Sequence, residues 1–291
     1  MESRYDAIVI GLGPVGSFMA LKLEQRGMKV LAIDKEKDIY PLPRAVSMSD
    51  QGMRMHQSLY LDDVYIRNSD IPEGAGFVDE NLEFIGDPMI MKGLNTHNGW
   101  PPMQFFHQPY TDREIREKLL NSNCDVFVGH ELTDIDDADQ ITKCAITNLQ
   151  NNEVFNLECR YLIGADGANS EVRDSFGITI QMDTYNQSCL VASVITDHPQ
   201  QEITWQRFTS SGPQAFLPLP GHQASLVWYD QREIIDSLIK LDLPKLGEKF
   251  QENFPGELGL VKVHSRGSFD LFKHHAKNYV CLLYTSDAAD E

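Results

Sequence analysis

Apolar positions follow two rhythms along this chain. Asp6-Ala-Ile-Val-Ile10, Lys29-Val-Leu-Ala-Ile33, Asp125-Val-Phe-Val128 and Tyr161-Leu-Ile-Gly164 are short continuous apolar runs, the pattern of strands buried on both faces of a parallel sheet. Ser17 to Arg26 has helical spacing, with Phe18, Leu21 and Leu23 available to pack on a sheet and Gly27 to end the helix. Strict alternation takes over in Glu131–Asp136, Ile141–Leu149 and Glu153–Cys159, separated by Asp137-Ala-Asp139 and Asn151-Asn152. These three runs predict an antiparallel meander.

Two other regions leave the strand–helix–strand rhythm. Gly74 to Gly86 reads as a hairpin around Asp79-Glu-Asn81. Cys189–Thr196, Ile203–Phe208, Gln214–Leu219 and Ala224–Tyr229 read as strands, punctuated by Pro218-Leu-Pro-Gly221, and Leu260–Phe272 as a longer one, with a further apolar strand from Tyr279. Helices are predicted over Ser49–Leu59, Thr111–Asn121, Arg232–Lys240 and Leu246–Asn253, with Thr111 as a cap and Glu114 as its capping-box partner. Lys35 to Arg44 is a loop broken by Tyr40-Pro-Leu-Pro-Arg44.

The densest chemistry lies between the first two strands. Gly11-Leu-Gly13-Pro-Val-Gly16 follows the first strand at once and opens the first helix. Gly11 suits the sharp turn out of the strand, Gly13 a close approach of pyrophosphate to the backbone, and Gly16 close packing of helix on strand. The helix N-terminus points free N–H groups and a partial positive charge at the phosphates. Asp34 ends the second strand, about 20 residues further on, where a carboxylate accepts hydrogen bonds from a ribose hydroxyl. This order identifies a dinucleotide site, and the acid favours FAD or NAD over NADP as the tightly bound nucleotide. A second loaded turn follows the fourth strand. Asp166 sits at a strand's C-terminal end, Gly167 permits the turn, Ser170 can cap the next helix and Arg173 lies on its first turn.

Composition narrows the partners. The 291 residues are 42% hydrophobic and 23% charged, enough for a large core and two domains. A formal net charge of −18 argues against a nucleic-acid surface and against general attraction to anionic lipid. No apolar run reaches the roughly 20 residues of a transmembrane helix, so no transmembrane segment is expected. The N-terminus leaves no room for a signal peptide before the first strand. Cys124, Cys144, Cys159, Cys189 and Cys281 form no C-x-x-C pair and read as reduced thiols of a cytoplasmic protein. The nine histidines show no metal-ligand spacing.

The order Gly11-x-Gly13-x-x-Gly16, Asp34, Pro43-Arg44-Ala45, then Gly164-Ala-Asp166-Gly167-x-x-Ser170-x-x-Arg173 is similar to the class A flavoprotein monooxygenases, the aromatic hydroxylases of the p-hydroxybenzoate hydroxylase type. Trp205-Gln-Arg-Phe-Thr, Gly212-Pro-Gln-Ala-Phe-Leu-Pro-Leu219 and Ser225-Leu-Val-Trp228 resemble the hydroxylases of ubiquinone biosynthesis. Tyr40–Ser49 and Gly99–Pro109 resemble 3-(3-hydroxyphenyl)propionate hydroxylase as much.

The resemblance implies an α/β fold: a Rossmann-like FAD-binding domain with a three-stranded β-meander, interrupted by a substrate domain with a largely antiparallel sheet. The expected FAD-binding domain is residues 1–72, 97–182 and 270–280, and the substrate domain 73–96 and 183–269. The implied cofactor-binding residues are Gly11, Gly13, Pro14, Val15, Gly16, Asp34, Lys35, Arg44, Gln108, Asp166 and Gly167. Asp34 would hold the adenosine ribose, Arg44 and Gln108 would lie near the pyrophosphate and ribityl side, and Asp166 beside the pyrophosphate in a motif the family also associates with NAD(P)H. NAD(P)H is implied as electron donor and O₂ as co-substrate, with a flavin C4a-hydroperoxide passing oxygen to a phenolic ring. A quinone-precursor substrate would bring peripheral membrane contact with it.

No catalytic base is named. Tyr185, Trp228 and Tyr229 are candidates to line a ring pocket, with a core role the preferred reading. The alternatives are an NAD-dependent dehydrogenase on the same turn, and an inactive FAD-binding fragment. The fragment reading comes from the C-terminus. The family's Gly-Asp motif with a following His is replaced by Ser286-Asp287-Ala288-Ala289-Asp290, and 281–291 matches the translation of a common sequencing adapter. That tail is expected to be non-native, the chain to be a piece of a longer enzyme, and its FAD retention to be weak.

Overall fold

A computed structural model describes residues 3–43, 45–138, 141–198, 202–254 and 259–280. The expectations for Arg44 and for the tail 281–291 lie outside the described residues. The chain divides into two compact units: residues 1–39, 112–183 and 273–291, and residues 40–111 and 184–272.

The first unit is built on a six-stranded sheet. Its order is Asp125–Val128, Val30–Asp34, Arg4–Ile10, Val154–Gly164, Ile141–Asn148, His130–Ala138. The first four strands run parallel, and the last two complete the antiparallel meander. The continuous apolar runs are explained by their position: Ala7, Ile8, Val9, Leu31, Ala32 and Ile33 have no exposed surface, as strands covered on both faces require. Helix Pro14–Gln25 packs beside them and ends at Gly27, whose φ of 80° no other residue adopts cheaply.

One strand does two jobs that the sequence pattern reads as separate. Val154–Gly164 pairs antiparallel with Thr142–Thr147 along its first half and parallel with Arg4–Ile10 along its second. Its hydrophobic period changes at exposed Arg160 because its surroundings change there, from a half-solvated meander to the buried sheet.

The second unit carries most of a seven-stranded sheet in the order Val261–Ala276, Ile180–Thr196, Gln223–Gln231, Gly212–Pro218, Ile203–Thr209, Gly74–Val78, Met89–Ile90. It is antiparallel except between Ile203–Thr209 and Gly74–Val78. Successive side chains take opposite faces. Leu190, Ala192, Val194, Phe216, Leu226 and Trp228 pack under helices Arg232–Ile239 and Leu243–Asn253. Cys189, Val191, Ala215, Leu217, Val227 and Tyr229 cluster on the other face with Phe269 and Leu271. Trp228 is therefore core, its ring tilted against Phe250 at 6.1 Å between centroids, and Tyr229 belongs to the opposite face. Tyr185 is exposed.

Several elements differ from expectation. The helix predicted over Thr111–Asn121 runs Gln108–Leu120, and Thr111 lies inside it. The Tyr110 and Thr111 N–H groups already donate to the His107 carbonyl, so the turn closes before Thr111 can act as a cap. Only one arm of the hairpin is a regular strand. Gly74–Val78 bridges to Phe84 at Val78, while Met89–Ile90 supplies the paired edge. A second short helix, Asp62–Asn68, follows Asp50–Gln57. Tyr279 and Val280 form no strand.

The pair of short helices is held by a half-buried histidine. His56 Nδ1 lies 2.8 Å from the Gly52 carbonyl, and its Nε2 lies 3.3 Å from the Tyr65 hydroxyl. Burial lowers the His56 pKa below its ordinary value of 6.5. The unfolded chain then takes up a proton near pH 6.5 that the folded chain resists, so this site's stability is lost as pH falls toward the folded pKa. Against a His56→Gln variant, the stability advantage of the unchanged protein should shrink between pH 7.5 and 5.5, by at most about 1.4 kcal/mol per pH unit. Denaturant melts of both proteins across that range check it.

Candidate cofactor site

The glycine turn and the second loaded turn meet at the carboxyl edge of the parallel strands of the first unit. Gly11 N–H donates to the Ile33 carbonyl at 2.7 Å, and Ala165 N–H donates to the Ile10 carbonyl at 2.7 Å. A Cβ on Gly11 would collide with the Ala165 carbonyl and stand 2.8 Å from the Asp166 Cα. Gly11 also has φ 93°, so both its conformation and its neighbour demand glycine. A Cβ on Gly16 would strike the Gly11 carbonyl, the close helix-to-strand packing expected there.

Gly13 differs. A Cβ there would meet no atom of the described residues within 4 Å, and its backbone is ordinary, with φ −66° and ψ −172°. Space is open above the backbone where a pyrophosphate would approach. Gly13 caps helix Pro14–Gln25 without a side chain, and Pro14 occupies the first turn. The N–H groups at Val15 and Gly16 thus have no side-chain cap among the described residues, an arrangement suited to an anion.

Asp34 holds the turn from the second strand. Its Oδ2 accepts from Leu12 N–H at 2.9 Å and its Oδ1 from Glu36 N–H at 3.0 Å. Arg116 adds a buried ion pair, Nη2 to Asp34 Oδ2 at 3.2 Å, with side chains 9% and 16% exposed. Oδ1 keeps capacity for a ribose hydroxyl. Arg116 was not among the sequence candidates. Its helix reads as an ordinary amphipathic segment, and only the fold aims this residue at Asp34. Lys35 follows on the exposed side of the strand end.

Asp166 caps the short helix Glu171–Ser175. Its Oδ2 accepts from Glu171 N–H at 2.7 Å and Val172 N–H at 3.3 Å. Ser170 Oγ accepts from Arg173 N–H at 3.0 Å, so the expected cap is present and Asp166 reinforces it. Arg173 turns back to the Ala168 carbonyl at 2.6 Å and to Asp174 at 2.8 Å. Asp166 Oδ1 is buried with no partner among the described residues. A buried carboxylate oxygen without a donor is costly, and a hydroxyl-bearing ligand or water would satisfy it. Gly167, with φ 86°, forms the turn behind it.

Gln108 belongs to the second unit, where its Oε1 accepts from Ala45 N–H at 2.8 Å, tying the loop after Pro43 to the start of its helix. Among the described residues no cluster of His, Cys, Asp or Glu could hold a metal.

The family described as FAD binding domain matches residues 4–278. The chain belongs to that family. The residues of the site fit FAD: an open Gly13 backbone, an uncapped helix end, a ribose acceptor and an unsatisfied carboxylate oxygen on one sheet edge. The chain is 42% identical over 124 residues to 3-demethoxyubiquinol 3-hydroxylase of Escherichia coli (strain K12), covering 43% of this chain and 32% of that protein. It is 24% identical over 285 residues to ubiquinone hydroxylase UbiL of Rhodospirillum rubrum, covering 94% of this chain and 63% of that one. The chain thus spans less than two thirds of the length of these curated relatives. Among solved structures, p-nitrophenol 4-monooxygenase PnpA from Pseudomonas putida DLL-E4 shares the fold with a TM-score of 0.82 at 20% identity, covering 95% of this chain and 70% of that one. No helix of the described residues is long and apolar enough to cross a membrane.

Proposed function

We propose that this FAD-binding domain is part of an enzyme that hydroxylates a phenolic aromatic ring with NAD(P)H and O₂. Overall, one oxygen atom enters the ring, the other leaves as water, and NAD(P)H is oxidised to NAD(P)⁺. Bound FAD would supply the electron-transfer and oxygen-activating chemistry. The observation that carries the reading is the junction of the two turns, which brings Gly13, Asp34 and Asp166 to one sheet edge.

The roles proposed for the residues are these. Gly13 and the amides of Val15 and Gly16 receive the pyrophosphate, Asp34 the adenosine ribose, and Asp166 Oδ1 a hydroxyl or bound water near the pyrophosphate. Gln108 is proposed for the ribityl side on the family resemblance alone. The Tyr229 face of the antiparallel sheet is the proposed floor for the ring. Burial pushes the Tyr229 hydroxyl pKa above its usual value, so at neutral pH it is a donor that can orient a phenol without taking its proton. The 42% identity to a hydroxylase named for demethoxyubiquinol supports a quinone precursor as substrate class, and peripheral membrane contact would follow from such a substrate.

The test is the full-length protein. It should purify yellow, with flavin absorbance, and oxidise NAD(P)H in step with hydroxylated phenol rather than with peroxide. A colourless protein that refuses FAD but binds NAD would move the assignment to a dehydrogenase.

A further inference from the structure

Arg116 sits mid-helix in Gln108–Leu120 and is 8% exposed. Its Nη2 donates to the Leu12 carbonyl at 2.8 Å as well as to Asp34 Oδ2 at 3.2 Å. Leu12 N–H donates to that same carboxylate oxygen at 2.9 Å, and Ser17 Oγ donates to the Leu12 carbonyl at 3.0 Å. The contacts close a ring: Leu12 N–H to Asp34, Asp34 to Arg116, Arg116 back to the Leu12 carbonyl. Both polar groups of one residue are thereby held by side chains from three elements.

The held residue lies between Gly11 and Gly13. Glycines on both sides leave its peptide groups a wide choice of orientations. Were they free, ordering them would be charged against ligand binding, and fixing them beforehand removes that cost. The guanidinium also offsets the Asp34 charge beside the place where an anion must come. Ser17 alone cannot do this, because a hydroxyl carries no charge and reaches only the carbonyl.

We propose that Arg116 is a positioning residue for the dinucleotide, clamping the Leu12 peptide and the Asp34 carboxylate in the receiving geometry before the ligand arrives. The proposal rests on the flavin reading above for the identity of the ligand, but not for the clamp itself. A plain structural staple between helix and sheet would lower melting temperature without loosening the turn in the folded protein.

Two measurements on the full-length protein, stripped of flavin, separate these cases. Titration with FAD, followed by flavin fluorescence, should show Arg116→Met binding at least about tenfold more weakly, the equivalent of one charge-assisted hydrogen bond. Arg116→Lys, which keeps the charge, should recover most of the loss. Amide exchange over residues 10–16 should speed up in Arg116→Met while that of the distant strand at 224–229 stays unchanged. In an Asp34→Ala background the Met substitution should cost little more affinity, because the ring is already open. Unchanged exchange at the turn overturns the clamp, as does FAD affinity within twofold of the unchanged protein. If the unchanged protein itself refuses FAD, the flavin reading fails, and the exchange comparison still decides the clamp.

Discussion

Gly13→Ala should fold as well as the unchanged protein and lose most of its FAD affinity, whereas Gly11→Ala should fail at the earlier step. The two glycines are two residues apart, yet the space around them differs completely. A methyl at 13 meets nothing within 4 Å and sits on an ordinary backbone, so the melting temperature should stay within a degree or two. It would, however, occupy the open surface that the pyrophosphate needs, and displacement of a tightly packed phosphate contact should weaken binding by about 100-fold or more, or roughly 3 kcal/mol. A methyl at 11 meets the Ala165 backbone and requires φ 93° of a residue with a Cβ. The turn cannot move without parting the first strand from the second loaded turn. The expected cost is about 2–4 kcal/mol of stability. Thermal melts of flavin-free protein and FAD titration of both variants separate the outcomes. Equal affinity of Gly13→Ala and the unchanged protein would place the pyrophosphate elsewhere.

Asp34→Ala should damage fold and site together. The carboxylate accepts from Leu12 N–H, Glu36 N–H and Arg116. Removing it leaves a guanidinium 9% exposed without its charge partner, and breaking one side of such a pair costs about 3–5 kcal/mol. The ribose acceptor disappears as well, so residual folded protein should bind FAD at least about tenfold more weakly. Asp34→Asn keeps the shape and part of the hydrogen bonding and should retain more stability than Ala. A double variant, Asp34→Ala with Arg116→Met, should be more stable than Asp34→Ala alone, because the stranded charge goes too. Urea unfolding of the three variants tests this ordering, and a double variant less stable than Asp34→Ala would contradict it.

Much of the cofactor domain was legible in the chain because its signals are local. A strand, a glycine turn, a helix and a closing acid depend on backbone freedom, periodicity and spacing within about 30 residues. Gly27, the meander turns and the Ser170 cap announce themselves in the same way. The errors lie where one segment answers to two environments. Val154–Gly164 changes partner halfway, so its pattern breaks and reads as two strands. Trp228 and Tyr229 are both aromatic and adjacent, and no local rule says which face of the sheet the helices cover.

By itself, the order of residues determined that two glycine turns with acids behind them exist, and which strands are buried on both faces. Only the folded chain decided that the turns touch, that Gly13 is open while Gly11 is enclosed, and that a mid-helix arginine over 80 positions away closes on Asp34. The physical reason is the same in each case. Backbone conformation and burial period are written in neighbouring residues, whereas a contact between distant segments arises only when the sheet brings their ends to one edge.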